Sequence, residues 1–254
     1  MIKNHLITCS VICVLFIISR LFVFSVDHKE ELKSSPVLFN VFETKKVEEK
    51  PNLNFADEKV PVKNVKVKRK ISYSIWKHSR YTSQAKQLQA QAAKWFPMIV
   101  PILQVYGIPE DFKYIPLLES GFQKHVRSPR GAAGIWQFMP GTARQYGLKV
   151  GHGKDERLNN RKATIAACKY IKDLYDEMGS WTLAAAAYNA GSPRMHKAIN
   201  RKNGGNYFFM HLNRETGMYV YNLVAMKEVM DKEIEENYGP MMANIVPADT
   251  LSLN

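Results

Sequence analysis

The sequence predicts an all-α domain, because apolar residues recur at helical spacing and almost no segment alternates as a strand does. Across residues 82–106 the apolar positions lie three and four residues apart, and Gly107 closes the segment. Pro97 and Pro101 within it predict a kink or a break. Three further helices are predicted around residues 165–174, 183–188 and 219–230.

The N-terminal end carries a long apolar run, residues 6–26, which is interrupted by Arg20. About 20 apolar helical residues span a bilayer, and Lys3 ahead of the run favours an N-terminus on the inside. Residues 1–26 are therefore predicted to anchor the chain in the inner membrane, with the remainder facing the periplasm. Export after cleavage of a signal peptide is the alternative, because residues 23–25 include the small residues that a signal peptidase prefers.

Residues 27–72 contain prolines, many Lys and Glu residues and no sustained helical period, so they are predicted to form a flexible basic linker. Nine Lys or Arg residues and no acidic residue lie within residues 60–109, which explains much of the net charge of +13. A solvated linker is the simplest interpretation, and contact with anionic envelope polymers or lipid headgroups is the alternative. Nucleic acid is not an expected partner, since no nucleic-acid-binding motif accompanies the charge.

The sequence predicts no metal and no cofactor. Its seven histidines are scattered, and no His/Cys cluster has the spacing of metal ligands. Cys168 is the one cysteine of the predicted exported part, so no intramolecular disulfide is expected there. Because Cys168 lies in a helical run, we expect it to be a small buried residue.

Glu119 is the candidate catalytic residue. It follows an apolar run, residues 114–118, and no other acidic residue occurs from position 120 to 154, where there are six Lys or Arg residues. If a helix ends near Gly121, the carboxyl group is both desolvated and near the negative end of the helix dipole, and both effects raise its pKa. The neighbouring cations act in the opposite direction. A raised pKa is what a general acid requires near neutral pH.

Two later segments could complete a pocket around Glu119. Residues 128–134 are rich in turn-forming and small residues, which let a backbone approach a ligand closely. Gln137 follows them among apolar residues, and a buried amide needs hydrogen-bond partners, whereas Trp136 is assigned to the core. Four alanines then precede Tyr188 and Asn189 at a predicted helix end, where both polar groups could cap the helix or face a cleft.

Three motifs in this order resemble the catalytic domain of lytic transglycosylases of the soluble type. They comprise residues 119–120, 134–137 and 187–189. The segments at residues 106–112 and 215–220 are similar to the membrane-bound lytic murein transglycosylase D branch in particular. The resemblance implies a lysozyme-like helical domain with a glycan-binding cleft over residues 73–240, followed by a tail at 241–254. LysM repeats often follow the domain in that branch, and no room for one remains before Asn254.

The resemblance implies a function. The enzyme is expected to cleave the β-1,4 bond between N-acetylmuramic acid and N-acetylglucosamine in peptidoglycan strands. Glu119 would act as acid and then as base, and the product would carry 1,6-anhydromuramic acid ends. A hydrolytic muramidase is an alternative that needs a second carboxylate, for which Glu215 and Asp155 are the candidates, although Asp155 is also placed to cap a helix. A non-catalytic peptidoglycan-binding protein is the other alternative.

The resemblance also implies a set of substrate-binding residues around the reacting muramoyl unit. Tyr188 matches a tyrosine that forms a hydrogen bond near the catalytic glutamate of the family. The implied substrate-binding residues are Ser128, Gln137, Met139, Tyr188, Asn189, Glu215 and Tyr219. Besides the glycan strands, the membrane is an expected partner through the N-terminal segment, and partners in the cell-wall machinery are unknown.

Overall fold

The structure is a computed structural model, and it describes residues 53–79 and 82–242. The predicted anchor at residues 1–26, the first part of the predicted linker and the chain beyond residue 242 lie outside the described residues. The described part of the chain contains eight α-helices, numbered here in chain order. They are α1 (Val65–Ser79), α2 (Thr82–Val105), α3 (Tyr114–Ser120), α4 (Pro140–Gln145), α5 (Asn160–Met178), α6 (Trp181–Ala190), α7 (Ser192–Ala198) and α8 (Thr216–Met242).

The core is centred on α6, whose four alanines at residues 184–187 are fully buried. Such small side chains let neighbouring helices approach closely, and α6 packs against α5, α7 and α8. Helix α2 packs against α5 and α8 and contributes Phe96, Ile99 and Leu103 to the same core. The prediction of a mainly helical domain is confirmed, and each helical segment predicted from residue 82 onwards coincides with a helix of the structure.

Helix α2 continues through both of its prolines, Pro97 and Pro101. The sequence allowed for a break at either position, since each proline lacks an N–H donor. Burial of the apolar side chains between and beside them, including Ile99 and Ile102, stabilises the helical course of this segment. The predicted break therefore does not occur.

Two antiparallel hairpins accompany the helices in the described part of the chain. Strand β1 (Asn54–Phe55) pairs with β2 (Glu58–Lys59), and β3 (Val150–Gly151) pairs with β4 (Lys154–Asp155). Each strand has two residues, which is too short for an alternating pattern to be recognised in the sequence. The hairpins are thus a small addition to a helical fold.

Residues 53–72, predicted to belong to the flexible linker, are part of the folded domain. Phe55 is fully buried, and its ring lies 5.1 Å from that of Phe112. In α1, Val67 and Ile71 are also buried, and the helix packs against α8. The prediction of a flexible linker was therefore wrong for residues 53–72. Apolar residues that are separated by many charged residues give no periodic pattern in the sequence, even when each of them is buried in the fold.

Polar contacts tie the same segment to distant parts of the chain. The Glu58 carboxylate accepts the backbone N–H groups of Trp181 at 2.5 Å and Thr182 at 3.1 Å, at the N-terminus of α6. The Asp111 Oδ2 atom accepts both the Ala56 N–H group and the Lys227 ammonium group at 2.7 Å. The N-terminal hairpin is therefore fixed to α6 and, through Asp111, to α8.

No helix within residues 53–79 and 82–242 combines the length and the apolar character that a membrane crossing requires. The predicted anchor lies outside these residues and stays a prediction.

Replacing Phe55 by alanine tests whether the N-terminal hairpin belongs to the domain. We expect Phe55→Ala to lower the free energy of unfolding by about 3–5 kcal/mol, because a fully buried aromatic ring is removed. Urea denaturation followed by circular dichroism measures the change. Phe209→Ala is the matched control, since Phe209 is 47% exposed, and it should give a much smaller decrease. A loss at Phe55 no larger than at Phe209 would contradict the assignment.

Candidate active site

Helix α3 ends where the sequence predicts, one residue after Glu119. Gly121 follows with a left-handed φ of 56°, and its N–H group bonds to the Leu117 carbonyl oxygen. The Ser120 hydroxyl group donates to the carbonyl oxygens of Pro116 and Ile135, both at 2.9 Å. These contacts fix the last turn of α3 against the loop that follows, and they set the position of the Glu119 side chain.

The electrostatic environment of Glu119 raises its pKa. Desolvation by burial is the main cause, and the negative charge of Glu215 adds to it. The Tyr219 hydroxyl group donates to Glu119 Oε1 at 2.7 Å, and this bond opposes the shift because it favours the carboxylate. The net shift is upward, in the direction that a general acid needs.

Glu119 lies in a cavity of about 490 Å³, within the range of about 300–1,000 Å³ that is typical of small-molecule sites. Four helices and the loop before α8 form its walls. The lining residues are Tyr73 and Lys77 of α1, Leu118 and Glu119 of α3, Asn189 of α6, Arg214 and Glu215 of the loop, and Met218, Tyr219 and Asn222 of α8.

A second cavity of about 250 Å³ shares Asn189 with the first. Gln137, Met139 and Tyr188 line it, so the structure brings together most of the residues that the family resemblance implies. Met139 is 43% exposed and precedes α4, where a side chain is accessible to a ligand. Because both cavities are lined by Asn189 at the end of α6, we consider them together as a candidate cleft.

Tyr188 supports this cleft through the backbone of the neighbouring loop. Its hydroxyl group donates to the Trp136 carbonyl oxygen at 2.7 Å. Trp136 itself is fully buried, as predicted, and its indole N–H group donates to Thr164. Burial raises the pKa of Tyr188, and the nearby charge of Glu119 adds to this shift, but the residue that bonds directly to the Glu119 carboxyl group is Tyr219.

The loop between α3 and α4 has a strained and internally bonded backbone. Gln137 has a φ of +46°, and its Nε2 group donates to the carbonyl oxygens of Gly134 at 2.8 Å and Val126 at 3.3 Å. Gly134 has a φ of +77°, and a Cβ atom there would lie 2.0 Å from the Arg157 carbonyl oxygen. Gln137 is half-buried, and its Nε2 group forms hydrogen bonds that hold the backbone of this loop.

Asp155 belongs to an ion-pair cluster that clamps this loop. Its carboxylate bonds to Arg157 at 2.8 Å and to Arg127 at 2.7 Å, and these contacts lower its pKa to about 2. Arg157 also donates to the carbonyl oxygens of Gly131 and Phe138. Asp155 caps the 3₁₀ turn at Glu156–Leu158, which confirms the prediction of a capping role.

Ser128 and Glu215 differ in their relation to the cleft. The Ser128 hydroxyl group accepts the Ala132 N–H group at 3.0 Å within the loop, and Ser128 lines neither of the two cavities. Glu215 is exposed and lines the Glu119 cavity, where the Asn189 amide donates to it at 3.4 Å. The Asn189 Oδ1 atom is buried, with no hydrogen-bond partner among the described residues.

Several wall residues were not predicted from the sequence. Tyr73 and Lys77 follow the predicted linker, and Arg214, Met218 and Asn222 lie in or near α8. Cys168 is fully buried in α5, and burial raises the pKa of its thiol to about 12, as expected of an unreactive core residue.

The central segment of the chain matches a known protein family. Residues 102–208 match the family described as transglycosylase SLT domain, and the matched segment includes much of the candidate site. This segment contains α3, the following loop, and α4 to α7, and it therefore includes Glu119.

Among individual proteins, the chain is 31% identical over 168 residues to the membrane-bound lytic murein transglycosylase D of Escherichia coli K12. The match covers 64% of this chain and 37% of that relative, so the chain spans little more than a third of the relative's length. The soluble lytic murein transglycosylase of Salmonella typhimurium is 31% identical over 91 residues, covering 34% of this chain and 14% of that protein. An inactive mutant of lytic transglycosylase Slt from Pseudomonas aeruginosa superposes with a TM-score of 0.43 at 21% identity, over 54% of this chain and 24% of that one.

Removing the Tyr219 hydroxyl group should raise the pKa of Glu119 further. Tyr219→Phe deletes the hydrogen bond that favours the carboxylate and leaves the burial in place, so the carboxyl group should stay protonated to higher pH. Carbon-13 NMR titration of the Glu119 side chain measures this. Tyr188→Phe is the matched control, because its hydroxyl group bonds to Trp136 and not to Glu119. An unchanged or lowered pKa in Tyr219→Phe would contradict the assigned contact.

Proposed function

We propose that this protein is a peptidoglycan lytic transglycosylase with Glu119 as its catalytic residue. The observation that carries the proposal is a carboxyl group with a raised pKa in a cavity, held by the hydroxyl group of Tyr219. The SLT domain at residues 102–208 and the named relatives support the same class of reaction.

In the proposed reaction, protonated Glu119 donates its proton to the glycosidic oxygen between N-acetylmuramic acid and N-acetylglucosamine. The bond between C1 of the muramoyl residue and that oxygen breaks, and the 2-acetamido group of the same sugar stabilises the positive charge at C1. The C6 hydroxyl group then attacks C1 and gives its proton to the Glu119 carboxylate. The product is a 1,6-anhydromuramoyl end, and the acid is restored.

Tyr219 has a defined part in this sequence. Its hydrogen bond favours the carboxylate form, which exists between the two proton transfers. Burial favours the protonated form, which is needed at the start. The two effects together keep both protonation states of Glu119 accessible, as an acid that later acts as base requires.

Six of the seven residues that the resemblance implies line the two cavities and are proposed to form the substrate-binding surface: Gln137, Met139, Tyr188, Asn189, Glu215 and Tyr219. Ser128 lines neither cavity, and we propose that it acts through the loop that it stabilises. Met139 and Asn189 line the cleft and are the candidates for direct contact with sugar. Gln137 and Tyr188 line it as well, but their hydrogen bonds are made to the loop backbone, so we assign them mainly to positioning that loop. We place the enzyme at the cell envelope, held by residues 1–26 or released after their cleavage.

Hydrolysis of the same bond is the second candidate, and one observation favours it. Glu215 lines the Glu119 cavity and thus supplies a second carboxylate, which could activate a water molecule. Asp155, the other sequence candidate, is engaged by Arg157 and Arg127 and has a pKa of about 2, so it does not suit the role of a base. Glu215 therefore carries the hydrolytic alternative.

Digestion of purified peptidoglycan sacculi by the full-length protein tests the proposal. We expect anhydromuramoyl ends, detected by mass spectrometry of the released muropeptides, and a loss of about 10²–10⁴-fold in rate for Glu119→Gln. Because the carboxyl group must start protonated, the rate should fall as the pH rises through the pKa of Glu119.

Glu215→Gln separates the two candidate reactions, since it neutralises the second carboxylate and leaves Glu119 in place. A transglycosylase should keep forming anhydro ends in this variant. Reducing ends that incorporate ¹⁸O from labelled water, and that disappear in Glu215→Gln, would establish hydrolysis instead. Undiminished digestion by Glu119→Gln would refute both mechanisms.

A further inference from the structure

Two cations line the cavity that contains Glu119. Lys77 lies near the end of α1, and Arg214 lies two residues before α8 begins. Both residues are exposed, and neither forms an ion pair within the described part of the chain. By contrast, Arg157 and Lys227 are paired with carboxylates at 2.8 Å and 2.7 Å. The two cations of the cavity therefore keep their charge available to a ligand.

The backbone positions of both cations are fixed. Near Lys77, the Ser74 hydroxyl group donates to Asn222 Oδ1 of α8 at 3.2 Å, and a ring nitrogen of His78 lies 3.3 Å from the same atom. Beside Arg214, the Asn213 side chain accepts the Thr216 N–H group at 2.8 Å. Long cationic side chains thus extend from anchored positions on two sides of the cavity wall.

The charges in this cavity favour an anionic ligand. Glu215 offsets one of the two cations, and burial favours the neutral form of Glu119, which leaves a surplus of one positive charge. Lys77 precedes residues 102–208 and Arg214 follows them. The positive charge of the cavity therefore comes from residues outside the matched domain. A ligand carboxylate would find two donors there, and an arginine can bind it in bidentate geometry.

We propose that Lys77 and Arg214 bind a carboxylate carried by the lactyl substituent of the muramoyl residue, an inference that rests on the proposed function. N-acetylmuramic acid differs from its neighbouring sugar by this lactyl ether. Its carboxyl group is either free or amide-linked to a peptide stem that has carboxylates of its own. Both forms present the same chemistry to Lys77 and Arg214, and the enzyme selects acidic muramoyl strands over neutral ones.

Binding to three kinds of glycan strand tests this inference. The first kind carries peptide stems, the second has been stripped by an amidase to leave free lactyl carboxylates, and the third has those carboxylates converted to neutral amides. Dissociation constants are measured with full-length Glu119→Gln protein, which is expected to turn the strands over about 10²–10⁴-fold more slowly under the proposed mechanism. The test variant adds Lys77→Gln and Arg214→Gln. The charge-matched control adds Lys169→Gln and Arg201→Gln, which lie at exposed positions of α5 and of the segment after α7.

We expect the test variant to bind at least one kind of acidic strand about tenfold more weakly, with its affinity for neutral strands unchanged. A loss confined to stem-bearing strands identifies the stem carboxylates, and a loss on stripped strands identifies the lactyl carboxylate. An equal loss on neutral strands, a loss matched by the control variant, or no loss at all would overturn the proposal. Formation of anhydro ends by the unmodified protein is scored separately, so a failure of the proposed reaction is distinguishable from a failure of charge recognition.

Discussion

The Glu119 carboxyl group is subject to two opposing effects that come from different sides of one cavity. Burial at the end of α3 favours the proton, and the hydrogen bond from Tyr219 on α8 favours the carboxylate. The hydrogen bond requires α8 to pack beside α3, as it does in the structure, and Met218 and Tyr219 of α8 also line the cavity in which Glu119 is buried. The protonation of the candidate acid therefore depends on a contact between residues one hundred positions apart in the chain.

The position of α8 depends in turn on the N-terminal part of the domain. Helix α1 packs against it, and the Lys227 ammonium group of α8 bonds to Asp111, which also accepts the N–H group of Ala56. The partly buried ion pair is well bonded, so it holds position more than it adds free energy. The packed residues 53–79 thus support the helix that carries the hydrogen-bond donor of Glu119, and Tyr73 and Lys77 among them line the Glu119 cavity.

Features set by neighbouring residues could be predicted from the sequence. The end of α3 at Gly121, the buried alanines of α6 and the capping role of Asp155 each follow from local composition or from side-chain–backbone geometry. Features set by long-range contacts could not. The apolar residues of segment 53–72 are separated by charged residues and show no sustained helical period. Nothing in the local sequence of Tyr219 distinguishes it from Tyr188 as the donor to Glu119.

The boundary of the matched SLT domain separates two parts of the site. Residues 102–208 contain Glu119 and the clamped loop, whose strained backbone at Gln137 is held by its own hydrogen bonds and by Arg157. Tyr219 and the cations of the cavity lie outside that segment. The position of the acid is thus a property of the matched segment, whereas the hydrogen bond that favours its carboxylate form and the cations around it come from α1, α8 and the loop before α8. Under the proposed function, changes at Tyr219, Lys77 or Arg214 would alter the pH dependence and the strands that are accepted, while residues 102–208 stay unchanged.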